Sequence, residues 1–330
     1  MAAIRIGKVS FWHVHAWDYT KEAQAHPDAE ITAVWDELPE RGREQAAKLG
    51  VPFFDTLDEL LASDIDGVIV DAPTNMHRDV MVAAARAGKH IFTEKVLAPT
   101  LQEVNEILDE VKKHHVKLTV SLPRLNDGYT LAISEALGQG LLGSVTQVRV
   151  RLSHNGSLAG WLPEHFYDAE ACGGGALIDL GCHPAYLTRL FLGEAPVQVT
   201  AQFGYITGKP VEDNAVLTLT TPSGALGIVE AGFVNAFSPF TIEVHGTEGT
   251  LLYGTPEPKL LLRTTKQGEE LAKTWQELPL PERRPSAFSQ WISHIQQGTE
   301  AEENIQAAVE LTRLMEAAYR SIREKSIIQL

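Results

Sequence analysis

Cysteine is almost missing from this sequence: Cys172 and Cys182 are the two among 330 residues. Two thiols cannot build the disulfide framework of a small secreted domain, and their spacing matches no zinc knuckle. Such low usage fits reduced thiols in the cytoplasm, the expected location. An excess of cations is missing too. Lys plus Arg number 28 against 43 Asp plus Glu, a formal charge of −15. That balance repels phosphate backbones and anionic lipid, so neither nucleic acid nor a membrane is an expected partner. No window approaches the ~18 uninterrupted apolar residues of a membrane span. The N-terminal MAAIRIGKVSFW contains no signal-peptide hydrophobic region.

Apolar residues make up 44% and charged residues 22%, a globular composition that is long enough for about two domains. In the first part, short apolar runs at 4–11, 30–36, 67–71, 89–93 and 117–121 read as buried strands. Stretches of helical spacing lie between them, for example 75–88 with Met76, Val80, Ala83, Ala84 and Ala87 on one face, and 100–115. Apolar strands alternating with amphipathic helices predict a doubly wound parallel sheet over 1–122. Period-two alternation then begins at 143–154 and recurs at 196–206, 212–221, 225–235, 239–246, 249–253 and 258–265. It predicts a large, open, mostly antiparallel sheet in a second, α+β domain over 123–330. One helix around 175–192 interrupts that sheet. Helices near 285–297 and 302–324 close the chain, the second with Ile305, Ala308, Leu311, Met315, Ala318 and Ile322 on one stripe. These last helices are placed to pack back on the first domain.

The first βα turn is where a dinucleotide fold carries glycines on a helix N-terminus. Here Ser10, Trp12 and His15 stand at those three positions, and the glycine fingerprint is absent. The loop would then either swing outward or meet the phosphates through Ser10, Phe11, Trp12 and His13, with Ser10 and His13 as side-chain donors. Asp36 ends the second strand, where a carboxylate can accept from both ribose hydroxyls and repel a 2′-phosphate. Capping the helix that starts near Leu38 is its alternative role. His13 and His15 form an H-x-H pair that could clasp a metal, line a site without one, or simply pack. A metal hydrolase would need further strand-end ligands that the chain past 143 does not supply, so no metal is expected.

Lys95 follows the strand 89–93 on the side where open α/β sheets bind ligands. The run Gly173-Gly174-Gly175-Ala176-Leu177-Ile178-Asp179-Leu180-Gly181-Cys182-His183 combines a sharp turn with a helix start. Asp179 and His183, four apart, project from one face if that helix is continuous, and such a pair suits a general base.

Glu94-Lys95-Val96-Leu97-Ala98 resembles the E-K-P-L-A signature of the Gfo/Idh/MocA oxidoreductases. Pro73-Thr74-Asn75-Met76-His77 is similar to that family's P-N-x-x-H stretch, and Gly173 to His183 to its G-G-G-A-L-x-D-L-G-x-H motif. Glu212-Asp213-Asn214 and Gly224-Ala225-Leu226-Gly227 also fit, so the resemblance spans nearly the whole chain. It implies a Rossmann domain followed by a domain whose sheet serves as an oligomer interface, in a homodimer or homotetramer. It implies NAD, ahead of NADP, and hydride transfer at a secondary alcohol or hemiacetal carbon of a sugar, inositol or related polyol. By the same resemblance Lys95 contacts the reacting oxygen and the nicotinamide ribose, His183 is the acid/base, and Asp179 orients it or the substrate. Thr74, Asn75, His77 and Glu94 fall on cofactor-lining positions, and Arg124, His154, Trp161, His165 and Tyr167 are candidate substrate contacts. Val96 in place of proline and the missing glycines depart from the pattern. The family also contains NAD-using glycoside-cleaving enzymes and non-catalytic regulatory members, and these remain the alternatives.

Overall fold

A computed structural model describes residues 3–269 and 271–330. The chain divides into two compact units: residues 1–122 with 285–312, and residues 123–284 with 313–330.

In the first unit the strands β1 (Ile4–Val9), β2 (Ala29–Trp35), β3 (Gly67–Val70), β4 (His90–Thr93) and β5 (Leu118–Val120) form a sheet in the order β2-β1-β3-β4-β5. Every pair is parallel. Buried on both faces, β3 is Gly-Val-Ile-Val throughout, which is why it reads as a continuous apolar run. The connecting helices are α1 (Ala16–Ala25), α2 (Pro39–Leu49), α3 (Leu57–Ala62), α4 (His77–Arg86) and α5 (Leu101–Lys113). Thr100 and Glu103 start α5 with a reciprocal capping box. A 3₁₀ turn, Thr74–Met76, precedes α4, so the helix expected from residue 75 begins at His77.

The second unit opens with α6 (Gly128–Gly138) and β6 (Val145–Ser153). Short helices follow: α7 (Gly156–Ala159), α8 (Ala169–Cys172), α9 (Ala176–Asp179) and then α10 (Cys182–Leu192). The single helix expected over 175–192 is therefore two, interrupted at Leu180–Gly181. Gly181 packs so tightly under Leu177 and Ala231 that a Cβ there would crowd both. The remaining strands are β7 (Gln198–Gly204), β8 (Asn214–Thr220), β9 (Leu226–Gly232), β10 (Thr241–Gly246), β11 (Gly249–Tyr253), β12 (Leu260–Thr264) and β13 (Gln276–Leu278). The nine-stranded order is β13-β12-β11-β10-β6-β9-β8-β7-β14, its last strand β14 (Ile328–Gln329) coming from the C-terminus. It is mixed: β6 and β9 are parallel, and the other neighbours antiparallel. In β8 the burial alternates strictly, with Ala215, Leu217 and Leu219 inward.

The last helices, α11 (Ala287–Gln297) and α12 (Glu302–Glu324), lie far along the chain. α11 and the start of α12 belong to the first unit. Phe288, Trp291 and Ile292 of α11 join Ile4, Ile6, Ile69 and Phe92 in one core. Asn304 of α12 brackets Val120, its Oδ1 accepting from the Val120 N–H at 2.8 Å and its Nδ2 donating to the carbonyl at 2.9 Å. That side chain takes the place of a strand beside β5. Both cysteines are buried and in no disulfide, and no described helix is long and apolar enough to cross a membrane.

Candidate functional site

Two clusters of polar side chains, one in each unit, account for the residues singled out by the sequence. In the first unit they gather at the C-terminal ends of β1 to β4. The β1–α1 turn does not swing outward. Phe11, Trp12 and His13 are buried, while Val14 and His15 are exposed. Ser10 holds φ +70°, the left-handed conformation for which the fingerprint uses glycine. The turn therefore keeps the dinucleotide backbone shape without the glycine. Its N–H groups are taken internally: Phe11 N donates to Asp36 (2.9 Å), Trp12 N to Ser10 Oγ (3.0 Å), His13 N to the Asp71 carbonyl (3.1 Å) and His15 N to His13 Nδ1 (3.2 Å).

Asp36 is buried at the end of β2. Besides Phe11 N it accepts from Leu38 N at the start of α2 (2.8 Å) and from Arg41, whose Nε and terminal nitrogen lie 2.9 and 2.7 Å away. The i, i+5 reach of the Arg41 guanidinium makes it the counter-ion of Asp36. Beneath the turn, Lys8 and Asp71 form a fully buried ion pair, and Lys8 lies 5.2 Å from the Phe11 ring. Burial pushes the Lys8 ammonium well down, against the pull of Glu94 and Asp36. Reading 4–11 as a plain apolar strand passed over Lys8.

Glu94 and Lys95 leave β4 side by side and buried. One carboxylate oxygen of Glu94 accepts from the Tyr19 hydroxyl and faces His13 Nδ1 at 3.6 Å. The other accepts from Lys95 N at 2.8 Å, with Lys95 Nζ 4.0 Å away. Burial raises this carboxyl, but the charges of His13, Lys95 and His15 and the Tyr19 hydrogen bond outweigh it and hold the group at about 2. Burial and Glu94 together push the Tyr19 phenol far up, so it stays a donor. The Lys95–Val96 peptide is cis. Thr74 is buried and Asn75 exposed in the 3₁₀ turn. His77 is buried with Nδ1 2.9 Å from the Val96 carbonyl and Nε2 3.1 Å from that of Ala72. Burial lowers its pKa, so the ring is neutral and donates to one of these two carbonyls, which ties it between the Ala72 turn and the loop carrying Lys95.

In the second unit the interruption at Gly181 separates Asp179 from the helix that bears His183. His183 Nδ1 lies 3.0 Å from the Tyr186 hydroxyl, one turn on, and Arg124 N donates to that hydroxyl at 3.2 Å. Tyr186 is thus the residue the i, i+4 argument missed; it is i+3 on the same helix. Burial lowers the affinity of His154 for a proton, and the nearby charge of Asp179 opposes that effect. The His154 ring lies 4.6 Å from exposed Trp161 and stacks on Phe233 at 5.1 Å. Arg124 covers the Phe240 ring at 4.3 Å and donates to Tyr129. Tyr167, expected to meet substrate, is buried among Leu162, Phe166 and Val211, its hydroxyl on Ser157 at 2.8 Å. His165 sits beside it, its carbonyl accepting from the Cys172 thiol.

Beneath the triple-glycine turn, buried Glu212 accepts from Gly175 N (3.0 Å), Leu177 N (3.0 Å) and the Tyr319 hydroxyl (2.6 Å). A Cβ on Gly174 would overlap Tyr319, and one on Gly175 the Glu212 carbonyl. These glycines are required by close approach.

Comparison with known proteins meets this arrangement in both units. Residues 10–122 match the description "Oxidoreductase family, NAD-binding Rossmann fold", and residues 130–252 match "GFO/IDH/MocA C-terminal domain". The chain belongs to the Gfo/Idh/MocA oxidoreductase family. It is similar to inositol 2-dehydrogenase of Rhizobium meliloti (strain 1021), 28% identical over 345 residues that cover 100% of this chain and 98% of that one. It is also 29% identical over 232 residues to 1,5-anhydro-D-fructose reductase of Ensifer adhaerens, covering 68% of each. Among solved structures, aldose-aldose oxidoreductase from Caulobacter crescentus (TM-score 0.82, 22% identity, 99% and 100% covered) shares the fold. So does GenD2 from gentamicin A biosynthesis in complex with NAD (TM-score 0.83, 24% identity, 100% and 97% covered). NAD is the cofactor of this Gfo/Idh/MocA oxidoreductase. Its first unit fits that group: Ser10 preserves the turn, and Asp36 stands at the end of the second strand.

Proposed function

We propose that this oxidoreductase moves hydride between NAD(H) and a CH–OH carbon of a sugar, inositol or related polyol. The observation that carries the reading is Lys95, buried beside an ionised Glu94 at the C-terminal end of β4. Full-length similarity to an inositol 2-dehydrogenase supports the substrate class. When bound, the nicotinamide accepts or gives the hydride. The protein supplies alignment and proton transfer. Lys95 donates a hydrogen bond to the substrate oxygen and stabilises charge developing there. His183 takes the hydroxyl proton, and Tyr186, hydrogen-bonded at Nδ1, holds its ring in one orientation. Asp179 with His154, Trp161 and Arg124 contact the substrate.

In this reading the first unit is the dinucleotide-binding domain. Ser10, Trp12, His13, Thr74, Asn75 and Glu94 line the cofactor, and Phe11 and His77 support them from behind. Asp36 disfavours a 2′-phosphate, although Arg41 moderates that preference. The second unit holds substrate and assembles the oligomer through its sheet, whose outward face carries exposed Val216 and Leu226. Light scattering of the purified protein tests the assembly.

Incubation with NAD and a panel of inositols and aldoses, followed by NADH absorbance, tests the reaction. Lys95→Ala and His183→Ala should each lower kcat by ~10²–10⁴ while leaving the fold intact. Near-normal turnover in either variant on the true substrate would remove that residue from the mechanism.

A further inference from the structure

We propose that His13, His15 and Glu94 bind one divalent transition metal of the zinc type. One ring nitrogen from each imidazole and one Glu94 carboxylate oxygen lie within 4.8 Å of one another. Metal–ligand bonds of ~2.0–2.2 Å in a tetrahedron place ligand atoms roughly 3.3–3.6 Å apart. His13 Nδ1 and Glu94 Oε1, at 3.6 Å, already stand at that separation. The group that must close in is His15, the exposed one of the three. Two imidazoles and a carboxylate suit zinc, cobalt or ferrous iron and leave a coordination position open.

The surroundings orient these groups as metal ligands are oriented elsewhere. His15 Nδ1 lies 2.9 Å from the Asp18 carboxylate, so a neutral ring donating there turns Nε2 away as a free lone pair. Glu94 is fixed by Tyr19 and by Lys95 N. His13, His15 and Tyr19 come from one short segment, the H-x-H pair and the first helix turn after it. Two interactions oppose the ion. His15 N donates to His13 Nδ1 at 3.2 Å, a contact that ligation through that atom would replace. Lys95 Nζ is 4.0 Å from Glu94 and brings a like charge near the ion.

The site does not depend on the hydride-transfer reading, and its test uses no nucleotide. The full-length protein is stripped with chelator, dialysed and titrated with Co²⁺ while the visible d–d absorption is recorded; Zn²⁺ is then added as competitor. The expected result is a tetrahedral band that saturates at one equivalent per chain and disappears with zinc. His15→Ala, at an exposed position, should stay folded and weaken Co²⁺ by more than about 100-fold, and Glu94→Gln should do the same; Asp18→Asn should weaken it about tenfold. Absence of a saturable band, or a band unchanged in His15→Ala, overturns the proposal. In the latter case the ion sits on others of the twelve histidines. Loss of turnover on polyols with this band intact would count against the dehydrogenase reading alone.

Discussion

The β1–α1 turn and the Gly173–Gly175 turn are the two places where this chain should need glycine, and it treats them oppositely. In the first, side chains replace all three glycines: Ser10 takes the left-handed backbone, Trp12 folds inward and His15 stays exposed. In the second, all three glycines stay; Tyr319 presses against Gly174 and the Glu212 backbone against Gly175 from the other side. Glycine is dispensable where the demand is conformational and the space beyond the turn can be filled. It is not where a neighbouring group occupies the volume of a Cβ. Each turn also rests on a buried glutamate, and the two differ in charge environment. Glu94 faces imidazoles and an ammonium and is held low. Glu212 meets only neutral N–H and O–H donors, and burial raises it.

The sharpest way to break this contrast is Gly174→Ala. At φ +152° with Tyr319 in the way, strain and overpacking together should cost about 2–6 kcal/mol. The shift in urea midpoint measures it; a loss under 1 kcal/mol would mean that Tyr319 moves aside freely.

The two glutamates should give stability profiles of opposite slope. Glu94, lowered in the folded chain from 4.5 to about 2, contributes stability that is complete above 4.5 and drains away as pH falls toward 2. Glu212, raised above 4.5, favours folding at lower pH and loses that contribution as pH climbs through its raised value. Glu94→Gln and Glu212→Gln should each erase one of these slopes in denaturation series run from about pH 3 to 7. Matching slopes in the two variants would contradict the assigned environments.

A smaller effect is expected at Asp36. Arg41→Ala leaves its carboxylate without a counter-ion, so the ratio of NADP to NAD dissociation constants should rise about tenfold, or about 1.4 kcal/mol. Isothermal titration with both nucleotides measures it. The least change is expected for Ser10→Gly. Relief of the φ +70° strain is offset by the lost bond to Trp12 N and by glycine's entropy, leaving about 1 kcal/mol or less of either sign. A much larger loss would mean that the Ser10 hydroxyl, not the backbone shape, holds the turn.

What could be read from the sequence followed a local rule. β3 and β4 emerge from apolar runs, and the nine-stranded sheet from period-two alternation, because burial pattern is a property of consecutive residues. The absence of glycine at 10, 12 and 15 was visible in the same way. Partnerships were not. Nothing near Asp36 announces a bidentate Arg41, nor does the run Ile-Arg-Ile-Gly-Lys-Val reveal that Lys8 has a carboxylate two strands of sequence away. Helical spacing treated 175–192 as one helix, but the chain breaks at Leu180–Gly181, and the Tyr186 hydroxyl beside His183 Nδ1 was not foreseen. The parallel pairing of β6 with β9 depends on connections that alternation does not encode.

The docking of α11 and Asn304 onto the five-stranded sheet bears on how the chain is made. Trp291 and Phe288 complete the core under β1, β3 and β4, and Asn304 closes the edge at β5. During synthesis all of residues 123–284 must emerge before those groups exist. At ~5–20 residues per second that is a wait of roughly 10–30 s with an open core and a bare strand edge. The first domain by sequence is therefore the one that closes late, and a fragment ending at Leu122 should expose the surface that α11 normally covers.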